Sequence, residues 1–123
     1  MAQVVAPAGW PPEVRPPGAP DWEGSAAPWL LDISPPELRS YPVLRRHPVV
    51  LARFAAVHTE AALEAARRAL GEVRTSLRDV VAPETVEQAV RAWERETARL
   101  VARRRAVDLV EQALRGRRFR PRL

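Results

Sequence analysis

Thirteen prolines divide this 123-residue chain so unevenly that their positions constrain the fold before anything else does. Ten lie between Pro7 and Pro42, then come Pro48, Pro83 and Pro121 alone. A proline inside a helix removes one hydrogen bond and clashes with the carbonyl four residues back, so long helices are confined to the two proline-free stretches. Pro48 and Pro83 each open one of these stretches at the first helical position, where the missing N–H has no partner to lose.

The stretch after Pro48, PVVLARFAAVHTEAALEAARRALGEVRTSLRDVV, is rich in Ala, Leu, Arg and Glu, all strong helix formers. A first long helix is expected over this stretch from Pro48, with Val80, Val81 and Ala82 leading to Pro83. The second starts at Pro83, with Glu84 and Glu87 where negative charge suits the helix dipole, and runs to Arg115, with Gly116 as the stop. Each is roughly 32 residues, or about 48 Å at 1.5 Å per residue. Matched lengths joined by a short turn imply an antiparallel hairpin.

The apolar spacing supports this. Val49, Ala52, Ala56, Leu63, Ala66, Leu70, Val73, Leu77 and Val80 follow at three- and four-residue steps, with Thr59 the one polar member. Val86, Val90, Trp93, Thr97, Leu100, Arg104, Val107, Glu111 and Leu114 repeat the spacing. Folding the chain at the turn pairs positions whose numbers add to about 163, so Leu63 is expected against Leu100 and Leu70 against Trp93. Glu60 and Glu64 then fall near Arg103 and Arg99 as edge ion pairs.

Residues 1–20 read as a flexible proline-rich lead-in and 21–47 as an extended arm with short helical turns, ahead of a hairpin at 48–115 and a basic tail at 116–123. Proline at the density of WPPEVRPPGAP is not expected to sustain a helix or a sheet ladder. Ser34-Pro35-Pro36-Glu37 resembles a capping box that starts a short helix through about Ser40, and Pro42 and Pro48 bracket one more turn. Trp10, Trp22 and Trp29 would be costly to leave in water, each able to bury about 150–250 Å². The arm is therefore expected to dock. Val50, Leu51, Phe54 and Val57 give the first long helix a second apolar face, which needs its own cover: the arm or a second copy of the chain. The fold class is all-α: a long, coiled-coil-like antiparallel hairpin with a proline- and tryptophan-rich arm and a short helix packed on it.

Chemistry is hard to place on these residues. Cysteine is absent, which excludes disulfides, thiolate metal sites and thiol nucleophiles and fits a cytoplasmic setting. His47 and His58 lack a carboxylate or second histidine three or four residues away, and no glycine-rich phosphate loop occurs. No enzyme activity, cofactor or metal is expected. No apolar run approaches the roughly 18 residues of a membrane span.

All 20 basic residues are arginine, a bias that fits a GC-rich genome. The positive charge gathers late: residues 83–123 hold eleven arginines against six acids. Arg103, Arg104, Arg115, Arg117, Arg118, Arg120 and Arg122 could contact phosphates of nucleic acid or anionic lipid, against the plainer reading of a solvated tail. WPPEVRPPGAP, with Arg15 as a basic anchor, could form a polyproline II ligand, against the plainer reading of a lead-in.

The segments WLLDISPPELRSYPVLRRHPVVLARF and AVDLVEQALRG resemble small helical proteins of GC-rich actinobacterial genomes. That resemblance brings no known activity and no site residue. The expected role is a non-enzymatic protein interaction or assembly module. Val50, Phe54, Val57, Trp22 and Trp29 are the candidate contact residues for a protein partner or a second copy. Nucleic-acid association through the arginines is the alternative.

Overall fold

A computed structural model describes residues 5–116 of the chain. Among these residues the elements are all helical: α1 (Trp22–Asp32), a 3₁₀ turn (Pro36–Ser40), α2 (Pro42–Arg46), α3 (Pro48–Ser76) and α4 (Pro83–Leu114). The two long helices pack against each other along their length. Leu63, Ala66 and Leu100 form one buried cluster in mid-hairpin, which places the helices in the expected register. Three ion pairs across the hairpin mark the same register: Arg53 with Glu111, Glu60 with Arg104 and Arg74 with Glu87. The edge pairing differs in detail from expectation. Glu60 reaches Arg104 rather than Arg103, while Arg99 turns back along α4 to Glu96.

The second long helix ends as its sequence implies. Arg115 caps it, and Gly116 adopts φ +81° and donates its N–H to Ala113 O at 2.9 Å. The first long helix is shorter than expected. It stops at Ser76, and residues 77–82 form the connecting turn, with Val80 N–H bonded to Leu77 O at 3.1 Å and Asp79 at φ +64°. Val80 is exposed there, outside the seam.

The main departure from expectation is the arm. Trp22–Asp32 is an 11-residue α-helix despite Pro28 in its interior. An internal proline costs a helix about 3 kcal/mol. Burial offsets it: Trp22, Ala26, Trp29, Leu30 and Leu31 are all in the core, and each tryptophan alone removes enough apolar area to contribute on the order of 4 kcal/mol. The carbonyl facing the Pro28 ring belongs to Gly24, next to which a side chain would find open space. Ser34 is not a helix cap. Its hydroxyl donates to Leu30 O at 2.7 Å and closes α1, and the following 3₁₀ turn begins from Pro35 with no side-chain cap.

The lead-in from Pro7 on folds into successive turns instead of hanging free. Trp10, Val14 and Ala19 donate their N–H groups to Pro7, Pro11 and Pro16 carbonyls at 3.0–3.2 Å. Polyproline II has no internal hydrogen bonds, so these turns exclude the extended ligand conformation over this stretch. Arg15, the expected basic anchor, bonds Pro20 O through its guanidinium and Ser25 Oγ through its N–H. Val14 is buried, and the Trp10 indole donates to Val14 O at 2.9 Å while meeting Trp22 edge to face at 5.8 Å. One core therefore joins the lead-in, α1, α2, the first turns of α3 and the last turns of α4.

Candidate functional site

The hairpin has two broad faces, and the arm covers one of them. Leu51, Ala52 and Ala55 of α3 and Ala106, Val110 and Ala113 of α4 are buried in the core that the arm completes. On helices with 3.6 residues per turn, the residues on the other side of the α3/α4 contact are Arg53, Val57, Glu60, Ala61 and Glu64 of α3 and Ala98, Val101, Arg105 and Asp108 of α4. Together with Ala56, Ala102 and Arg104 they line an open groove of about 790 Å³.

Its floor and walls are small and apolar. Ala56, Ala61, Ala98 and Ala102 keep the side chains low, and Val57 and Val101 stand above them, with Val57 58% exposed. The charges lie along the rims. Arg104 and Glu60 neutralise each other at 3.3 Å near mid-groove. Arg53 contacts the buried carboxylate of Glu111 at 3.3 Å, which Arg115 also holds at 2.8 Å. Arg105 donates to the Ala8 carbonyl at 3.4 and 3.3 Å, so the lead-in borders the groove at its α4 edge. Among the described residues Glu64 makes no ion pair and no side-chain hydrogen bond.

The five candidate contact residues are placed very differently. Trp22 and Trp29 are buried in the chain's own core and are held by it, so they offer no free surface. Val50 is half-buried against that core. Phe54, 53% exposed, and Val57 remain open to solvent, one turn apart, with Val57 in the groove. The α4 half of the groove escaped sequence reasoning because Val101 and the alanines at 98 and 102 lie off the seam. Projecting α4 beside Val57 and Ala61 would have revealed them.

The candidate phosphate-binding arginines are dispersed in the same way. Arg104 and Arg115 are paired with carboxylates, and Arg103 is half-buried, its guanidinium pKa pushed down by burial and by nearby Arg99. Arg117, Arg118, Arg120 and Arg122 lie outside the described residues. Among the described residues no cluster of His, Asp or Glu side chains could hold a metal ion, and no helix is long and apolar enough to cross a membrane.

No family model, no curated protein and no solved structure matches this chain.

Proposed function

We propose that this chain is a non-enzymatic protein-interaction module, in which the hairpin is the scaffold and the groove beside Val57 receives a helix. The observation that supports this reading most is the asymmetry of the hairpin. One face is closed by the arm, and the other carries Val57 and Val101 exposed around a floor of four alanines. Small residues let a partner helix approach closely, branched ones supply knobs, and charged rims set its register. Scattered exposed apolar residues need no explanation, but a contiguous patch rimmed by charge marks a contact site.

The test is affinity capture from the native host with the tagged chain and with Val57→Glu. The expected result is a partner, the chain itself included, that the wild type retains and the variant loses. Capture that Val57→Glu leaves unchanged would place the contact elsewhere and end this reading. Nucleic-acid association ranks second because Arg104 and Arg115 already spend their charge on Glu60 and Glu111. Copurifying absorbance at 260 nm that disappears in high salt would reverse that order.

A further inference from the structure

We propose that the hairpin is two cooperative units, and that its turn half, residues 67–97, opens and recloses while the arm half stays folded. This goes beyond the contact reading of the groove and does not depend on it.

Burial is divided unequally along the long helices. Toward the arm end, Leu51, Ala52, Ala55, Val107 and Val110 share one core with the arm, and that core reaches no farther than Ala56 on α3 and Ala106 on α4. The separate cluster of Leu63, Ala66 and Leu100 follows, with no residue of the arm in it. Beyond it, from Arg67 round the turn to Thr97, only Val86 and Val90 are buried among the described residues, and neither joins either cluster. Leu70, Val73 and Leu77 are half-buried, and Trp93 is 40% exposed. Arg74 and Glu87 bridge the helices here at 3.0 and 3.1 Å, but both are exposed, and an exposed pair holds little. Gly71 weakens α3 in the same stretch, and Asp79 sits at φ +64° in the turn.

Helices that pack only on each other bury one stripe apiece. Once parted, helical segments of about 10–15 residues are marginal in water, because most helical stability in proteins comes from packing. Splaying and unravelling of the turn half therefore go together, and they give up this thin seam alone, whereas opening the arm half gives up the main core. The Trp93 indole bonded to Ala66 O is the tie at the boundary between the halves. The groove is lined from residues 53–64 and 98–108, so it stays formed when the turn half opens. Opening uncovers Leu70, Val73, Leu77, Val86 and Val90 together, an apolar stripe that the closed hairpin turns inward.

The experiment is native-state hydrogen exchange on the full-length chain, with and without low concentrations of urea. Amides of residues 70–75 and 88–93 should be protected, but at least about a hundredfold less than those of residues 51–59 and 104–111. Low urea should reduce arm-half protection steeply and turn-half protection only slightly, because a small opening exposes little surface. Val110→Ala, in the main core, should lower arm-half protection by about tenfold and leave the turn half unchanged, since opening the turn half does not break that core. The urea series on the wild type makes the same distinction without a variant. Equal protection in both halves that falls together in urea, or a Val110→Ala variant that lowers both by the same factor, would make the hairpin one unit and overturn the proposal. Turn-half amides with no protection at all would mean that this half never closes, which overturns it as well.

Discussion

The indole N–H of Trp93 donates to the main-chain carbonyl of Ala66 across the hairpin, 2.7 Å away. It is a side chain of one long helix bonded to the backbone of the other, beside the buried cluster of Leu63, Ala66 and Leu100. A hydrogen bond of this kind contributes about 0.5–1.5 kcal/mol net. Trp93→Phe keeps most of the ring and removes the donor, so stability should fall by about 1 kcal/mol and Tm by roughly 2–8 °C. Urea unfolding followed by circular dichroism would measure it, and an unchanged midpoint would show that the bond contributes nothing in solution.

Leu63 is the seam residue with least alternative support. It is fully buried, and its cluster contains only Ala66 and Leu100 with Ala62 at the edge. Leu63→Ala should cost about 2–5 kcal/mol. A loss below about 1 kcal/mol would mean that the hairpin collapses around the gap.

The seam was legible because its period is a property of the sequence alone: Leu63 and Leu100 are apolar at heptad spacing, and the proline positions set where the helices begin. The arm was not, because its helix depends on what it touches. Pro28 argues against α1 locally, and only the burial of Trp22, Trp29 and Leu30 against α3 and α4 outweighs it. Val14 likewise looks like any residue of a proline-rich lead-in until the core closes over it. The groove was half legible. Val57 broke the polar pattern of α3, but an alanine facing solvent looks no different in sequence from an alanine facing a seam.

Docking of the arm predicts a specific fluorescence pattern. Trp22 and Trp29 are each about 9% exposed and Trp93 is 40% exposed. Iodide should quench part of the native emission, and most of the quenchable part should vanish in Trp93→Phe. Trp29→Ala should cost about 3–5 kcal/mol and make the remaining arm tryptophans accessible. Complete quenching of the wild-type chain would contradict the docked arm.

Glu87 makes the stability depend on acid. Its carboxyl is held below the usual carboxylate range chiefly by the hydrogen bonds from Arg74 at 3.0 and 3.1 Å, against a smaller desolvation effect, with the charges of Arg74 and Arg91 adding to the depression. A group whose pKa is depressed on folding contributes its stability above its unfolded value and loses it as pH falls through the folded one. Glu87→Gln should therefore lower the Tm slightly at pH 7 and converge with the wild type in strong acid. Both side chains are exposed, so added salt should shrink the difference. A gap that persists at the lowest pH would assign the effect to something other than ionisation.

The turn between the long helices holds the chain's one clear backbone conflict in this region. Asp79 adopts φ +64°, where a side chain other than glycine is crowded by about 1–2 kcal/mol, although the short polar side chain of aspartate reduces that. Asp79 is exposed, and no hydrogen bond from its side chain offsets the crowding among the described residues. Glycine would remove the crowding but add about 0.5–1 kcal/mol of unfolded-chain entropy. Asp79→Gly should thus be neutral to stabilising by up to about 1 kcal/mol, and Asp79→Ala should destabilise by about 1 kcal/mol, since alanine keeps the crowding and loses the polar group. Comparing the two melting curves separates backbone strain from any contribution of the carboxylate: strain predicts Gly above Ala, whereas a carboxylate that mattered would lower both variants equally.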